Sequence, residues 1–75
     1  MANFFGTNFN DSFTGNGNDD NIFGQGGNDN LSGVGGDDFI VGGNGNDLLS
    51  GGNGDDVLKG ENGTDTLNGL SLIHI

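Results

Sequence analysis

A chain of 75 residues with 29% hydrophobic side chains and no cysteine is at most one domain, has little apolar surface for an ordinary core, and can form neither disulfides nor thiolate metal sites. Eleven acidic residues stand against Lys59 alone, a formal net charge of −10, which disfavours nucleic acid and anionic membranes as partners and points to a cation. Richness in Gly, Asn and Asp would ordinarily indicate disorder, but a nine-residue period runs through residues 6–68 and argues for an ordered repeat.

The register is clearest at residues 42–59, GGNGNDLLS followed by GGNGDDVLK. Stepping by nine in both directions places glycine at 6, 15, 24, 33, 42, 51, 60 and 69. It places aspartate at 11, 20, 29, 38, 47, 56 and 65, and an apolar residue at Phe13, Ile22, Leu31, Ile40, Leu49, Leu58 and Leu67.

Residues 1–5 precede the first full unit. Phe4 falls one step before the apolar column, so Asn3, Phe4 and Phe5 are expected to form a capping strand without its own turn. The start has neither a basic region nor a long apolar one, so no Sec-type signal peptide is expected, and no segment approaches the ~20 apolar residues of a membrane span.

Residues 6–68 are seven repeats. Each divides into six turn residues and three strand residues, because Gly and Asn accept the positive φ of tight turns and a trio such as Leu48, Leu49 and Ser50 suits one short strand. Glycine is replaced at the second or fourth turn position by Thr7 and Phe9, Asn16 and Asn18, Gln25, Val34 and Glu61. Asn18 tolerates a left-handed turn and Phe9 only with strain, which makes the first turn the least regular. Two units close one coil of eighteen residues, so the expected fold is all-β, with strands stacked at about 4.8 Å in short parallel sheets on opposite sides.

In residues 69–75 the pattern fails, with Leu70 and Leu72 at glycine positions and His74 at the aspartate position. Two readings stand: a hydrophobic cap for the last coil, or translated adapter sequence ending a truncated reading frame. Neither supplies the column's aspartate.

Over residues 6–68 the sequence resembles the RTX (repeats-in-toxin) family of haemolysin-type calcium-binding repeats, with all motif positions met at 42–50 and 51–59. The resemblance implies a right-handed parallel β-roll, a β-helix solenoid of about 18 residues per coil. It also implies Ca²⁺ ligands from the Asp column and from main-chain carbonyls of turn positions one to four. These map to Asp11, Asp20, Asp29, Asp38, Asp47, Asp56 and Asp65 and to the turns Gly24, Gly26, Gly27; Gly33, Gly35, Gly36; Gly42, Gly43, Asn44, Gly45; Gly51, Gly52, Asn53, Gly54; and Gly60, Asn62, Gly63.

The residue chemistry agrees. Ca²⁺ takes six to eight oxygens at about 2.3–2.6 Å, and carboxylates stacked about 4.8 Å apart leave room for one ion between successive coils. One edge holds Asp11, Asp29, Asp47 and Asp65 and the other Asp20, Asp38 and Asp56, giving three plus two intervals and an expectation of about five ions. Asp19, Asp37, Asp55 and Glu61 fall outside the column and are expected to face solvent. Turn formation without metal accounts for Asn-rich turns, but not for an Asp in every copy beside variable neighbours. The EF-hand spacing and the phosphate-loop Gly-Lys-Ser/Thr are both missing.

The outer faces differ. One sheet presents Ser12, Thr14, Asn30, Ser32, Leu48, Ser50, Thr66 and Asn68; the other presents Asn3, Phe5, Asn21, Phe23, Phe39, Val41, Val57 and Lys59. The apolar face fits docking on a neighbouring domain or a second copy, with β-propensity alone as the competing explanation. No nucleophile–histidine grouping or catalytic carboxylate pair occurs, and His74 and Lys59 stand alone, so an enzyme is not expected.

The leading expectation is a module that folds on binding Ca²⁺ outside the cell, in a bacterial RTX toxin, protease or lipase. The resemblance implies type I secretion, whose C-terminal signal is not visible here. The alternative is a spacer in a surface adhesin whose polar face binds carbohydrate or ice.

Overall fold

The structure, a computed structural model, describes residues 3–68 and the main chain of 71–74. The strands β1 (Asn3–Phe5), β3 (Asn21–Phe23), β5 (Phe39–Val41), β7 (Asp55–Lys59) and β9 (Ser71–His74) form one parallel sheet. The strands β2 (Ser12–Thr14), β4 (Asn30–Ser32), β6 (Leu48–Ser50) and β8 (Thr66–Asn68) form the other. Alternate units thus enter opposite sheets, which is the all-β parallel solenoid expected, of about four coils. Strands β1 to β6 and β8 occupy the last three positions of their units, where the turn residues give way to an apolar side chain flanked by two outward ones, and β7 begins two residues earlier in its unit.

The register confirms the eighteen-residue coil. Phe4 pairs with Ile22, Ile22 with Ile40 and Ile40 with Leu58 in one sheet, and Phe13, Leu31, Leu49 and Leu67 follow one another in the second. At the C-terminal end the step shortens: Asp55 pairs with Ser71 and Leu58 with His74, sixteen residues on. The failed repeat therefore still supplies main chain to the sheet edge, two residues early. Residues 69, 70 and 75 lie outside those described.

The core is a single file. Ile22, Leu31, Ile40, Leu49 and Leu58 are completely buried between the sheets, while Phe4, Phe13 and Leu67 pack against them from the two ends. At the N-terminal end the rings of Phe4 and Phe13 stack at 4.3 Å across the sheets. So small a core makes each side chain in it indispensable.

Main-chain hydrogen bonding continues beyond the strands into the turns. The N–H of Asn44 donates to Gln25 O (2.9 Å), that of Asn53 to Val34 O (2.8 Å), and that of Leu48 to Asp29 O (2.8 Å). Successive turns are therefore in direct contact, which explains the glycines. Gly45 takes φ 101°, and a Cβ there would collide with the carbonyl of Gly27 one coil below.

On the outer apolar face Phe5 stacks on Phe23 (centroids 5.3 Å), and Phe23 meets Phe39 edge-on at 5.8 Å. Phe23, Phe39, Val41 and Val57 are half-buried by these neighbours, while Phe5 is exposed.

Candidate metal centre

Position six of each of the seven units is aspartate, and its carboxylate or main chain reaches the neighbouring coil. The N–H of Asp11 donates to Oδ1 of Asp29, and the same bond runs from Asp20 to Asp38, Asp29 to Asp47, Asp38 to Asp56 and Asp47 to Asp65, at 2.7–2.9 Å. The structure thus joins the expected residues into two ladders, Asp11–29–47–65 and Asp20–38–56. Asp20, Asp29, Asp38, Asp47 and Asp56 are at most 3% exposed, and Asp11 and Asp65, in end turns, are half-buried.

One oxygen of Asp29, Asp38, Asp47, Asp56 and Asp65 is thereby committed. The second is not: Oδ2 of Asp29, Asp38, Asp47 and Asp56 is buried with no hydrogen-bond partner. An unpaired buried carboxylate oxygen is costly unless a cation or a proton meets it. Burial accordingly pushes the Asp38 and Asp47 carboxyls up to about 6; neighbouring carboxylates add to the rise and the main-chain N–H groups oppose it. Burial also raises the Asp29 and Asp56 carboxyls above the ordinary range.

The space beside these oxygens belongs to the first glycine of each turn. A Cβ on Gly24 would run into Asp29 Oδ2 and lie 2.8 Å from Gly42 O, the carbonyl of the turn one coil on. On Gly42 it would meet Asp47 Oδ2 at 2.6 Å, and on Gly51 Asp56 Oδ2 at 2.5 Å. A side chain is excluded at each, and carboxylate oxygen borders the space, joined at Gly24 by main-chain oxygen. Among the described residues no three His, Cys, Asp or Glu side chains converge to hold a metal. A cation here would draw most of its donors from carbonyls, as a hard divalent ion such as Ca²⁺ does and a thiolate- or imidazole-seeking ion does not.

Turn conformation decides whether Oδ2 is free. The second turn residue has positive φ at Gln25 (69°), Val34 (76°), Gly43 (84°) and Gly52 (78°), and the aspartate four residues on has its Oδ2 unpaired in each case. In the first two turns neither Thr7 and Phe9 nor Asn16 and Asn18 adopt positive φ. There the N–H of Thr7 donates to Asp11 Oδ2 at 2.7 Å, and that of Asn16 to Asp20 Oδ2 at 3.2 Å. The left-handed conformation at Asn18, admissible by residue type, is not used, and Phe9 avoids its strain the same way.

One column escaped the sequence reading. Position five was expected only to face solvent, and Asp19, Asp37 and Asp55 are indeed exposed. Its side chains nevertheless knit the coils: Asn10 Oδ1 accepts the N–H of Asn28, Asn28 that of Asn46, and Asn46 that of Thr64, at 2.7–2.8 Å. On the other edge Asp19 Oδ1 accepts from Asp37 and Asp37 from Asp55. The signal was present as Asn or Asp in six successive copies, from residue 10 to residue 55.

Stacked turns whose buried carboxylate oxygens face main-chain carbonyls across glycine define a cation-binding parallel β-solenoid. The family model of the RTX calcium-binding nonapeptide repeat (4 copies) matches residues 5–40 and 32–67. The chain belongs to that family, whose repeat is a calcium-binding module and not itself catalytic. Neither the curated proteins nor the solved structures give a match.

Proposed function

We propose that this calcium-binding β-roll becomes compact only when Ca²⁺ is taken up, and that it serves a longer bacterial protein exported by a type I system and folded outside the cell. The unpaired Oδ2 of Asp29, Asp38, Asp47 and Asp56 carries the proposal. Without a cation these atoms are desolvated, mutually repelling acceptors in a fold whose core is five side chains deep. Asp29, Asp38, Asp47 and Asp56, with main-chain carbonyls such as that of Gly42, would hold the ions, whose charge offsets the repulsion that opposes stacking.

Because binding and folding would be one equilibrium, the calcium concentration sets the folded fraction. A dissociation constant of about 10⁻⁴–10⁻³ M, usual for extracellular modules, keeps the chain unfolded in cytosol and folded outside. The test is circular dichroism: a coil spectrum in chelator converting to β in millimolar Ca²⁺ is expected, and β structure persisting in excess chelator overturns the proposal.

The outer face of Phe5, Phe23, Phe39, Val41 and Val57 is proposed as the contact to a neighbouring domain. Phe23→Ser with Phe39→Ser should weaken that association, and unchanged association and solubility would refute it.

A further inference from the structure

We infer that the five intervals of the two carboxylate ladders are not equivalent, and that the first on each edge is closed by a main-chain N–H in place of a calcium ion. This rests on the calcium-binding reading of the same ladders. It divides the roll into a metal-independent first pair of turns and three metal-loaded intervals: 29–47 and 47–65 on one edge, and 38–56 on the other.

Each interval begins with an aspartate Oδ2 beside the first glycine of its own turn, and in those led by Asp11, Asp20 and Asp29 the matching carbonyl one coil on borders the same space. A Cβ on Gly6 would lie 2.6 Å from Asp11 Oδ2 and 2.5 Å from Gly24 O, so the first interval has the same walls as the 29–47 interval beside Gly24. Its oxygens are already used, however. Asp11 Oδ2 accepts the N–H of Thr7 at 2.7 Å and its hydroxyl at 3.2 Å, and the same hydroxyl accepts the N–H of Phe9 at 3.1 Å. At Asp20 the Asn16 N–H takes Oδ2, and Oδ1 of Asn16 accepts the N–H of Asn18 at 2.9 Å, fixing the turn.

Freeing these carboxylates would require the second residue to rotate to positive φ. Thr7, branched at Cβ, resists this, as does the bulky Phe9 at the fourth position. Asn16 could rotate, but only by losing both the bond to Asp20 and the turn bond to Asn18. In the three other intervals the leading turns hold positive φ even at Gln25 and at Val34, where the side chain opposes it, and Oδ2 of Asp29, Asp38 and Asp47 is left without a partner. The partial positive charge of an N–H thus substitutes for the cation at one end of the roll, where glycine was replaced at both variable turn positions.

Calcium counted by equilibrium dialysis, with circular dichroism on the same samples, tests the division. The intact chain should bind three ions, and Asp11→Asn with Asp20→Asn should leave the count unchanged, because an amide oxygen still accepts the Thr7 or Asn16 N–H. Restoring glycine with Thr7→Gly, Phe9→Gly, Asn16→Gly and Asn18→Gly should raise the count to five. Five ions on the intact chain, or a lower count after the two Asp→Asn changes, overturns the division while leaving calcium binding intact. No calcium on the intact or the restored chain overturns the calcium reading and this inference together.

Discussion

The main-chain N–H of Asp29 donates to Oδ1 of Asp47, one coil on, at 2.7 Å, while Oδ2 of the same Asp47 carboxylate is buried and has no partner. One oxygen joins the coils of the folded chain, and the other is the one proposed to meet a cation. The two roles can be separated by substitution. Asp47→Asn keeps an acceptor for Asp29 and removes the charge, so the coil contact should hold in the calcium-loaded fold while calcium affinity falls by about tenfold or more. Asp47→Ala also strands the Asp29 N–H, at a cost of about 1–3 kcal/mol. Calcium titrations followed by circular dichroism should rank the midpoints intact, then Asn, then Ala, and equal midpoints for Asn and Ala would contradict the structural role of Oδ1.

Acid should partly replace calcium. The Asp38 and Asp47 carboxyls rise from 3.8 to about 6 in the folded chain, chiefly through burial. Between those values the folded state binds more protons than the unfolded one, so metal-free stability is lost as pH rises through the window and gained as it falls. Metal-free chain brought from neutral pH to about pH 4.5 should gain β signal, and the calcium midpoint should climb below about pH 6 as protons compete for the same oxygens. Metal-free chain that only loses structure on acidification would contradict the burial of these carboxyls.

Val34 sits at φ 76°, a left-handed conformation unfavourable for a β-branched residue, and is 44% exposed. Val34→Gly removes that strain without emptying the core and should stabilise the folded roll by about 1 kcal/mol. A lower calcium midpoint and a higher denaturant midpoint in calcium would show it, and a loss of stability would argue that Val34 packs.

Leu49 is fully buried at the centre of the file, between Leu31 and Leu67 in its sheet. Leu49→Ala should cost about 2–5 kcal/mol, more than so small a core can absorb. The variant should need much more calcium to fold or fail to fold at any concentration. Leu48→Ser, at the outward neighbouring position, should fold at nearly the calcium concentration of the intact chain.

Most of the architecture was legible in the residues because a solenoid repeats one local problem. Glycine at 42, 51 and 60, aspartate at 47, 56 and 65 and leucine at 49, 58 and 67 recur every nine residues, and that period marks the repeat unit and its inward column, while the expectation of two units per coil, with carboxylates stacked at 18-residue steps, is met in the strand register. Only the tertiary structure decided how each carboxylate divides its two oxygens, because that depends on the φ of a residue four positions earlier and on an N–H one coil away. Thr7 and Gln25 both replace the second glycine, yet one turns its N–H onto Asp11 and the other leaves Asp29 Oδ2 bare. The position-five ladder was hidden for a related reason. Asn28 and Asp37 look like ordinary exposed turn residues, and only stacked coils bring their side-chain oxygens to the next main-chain donor.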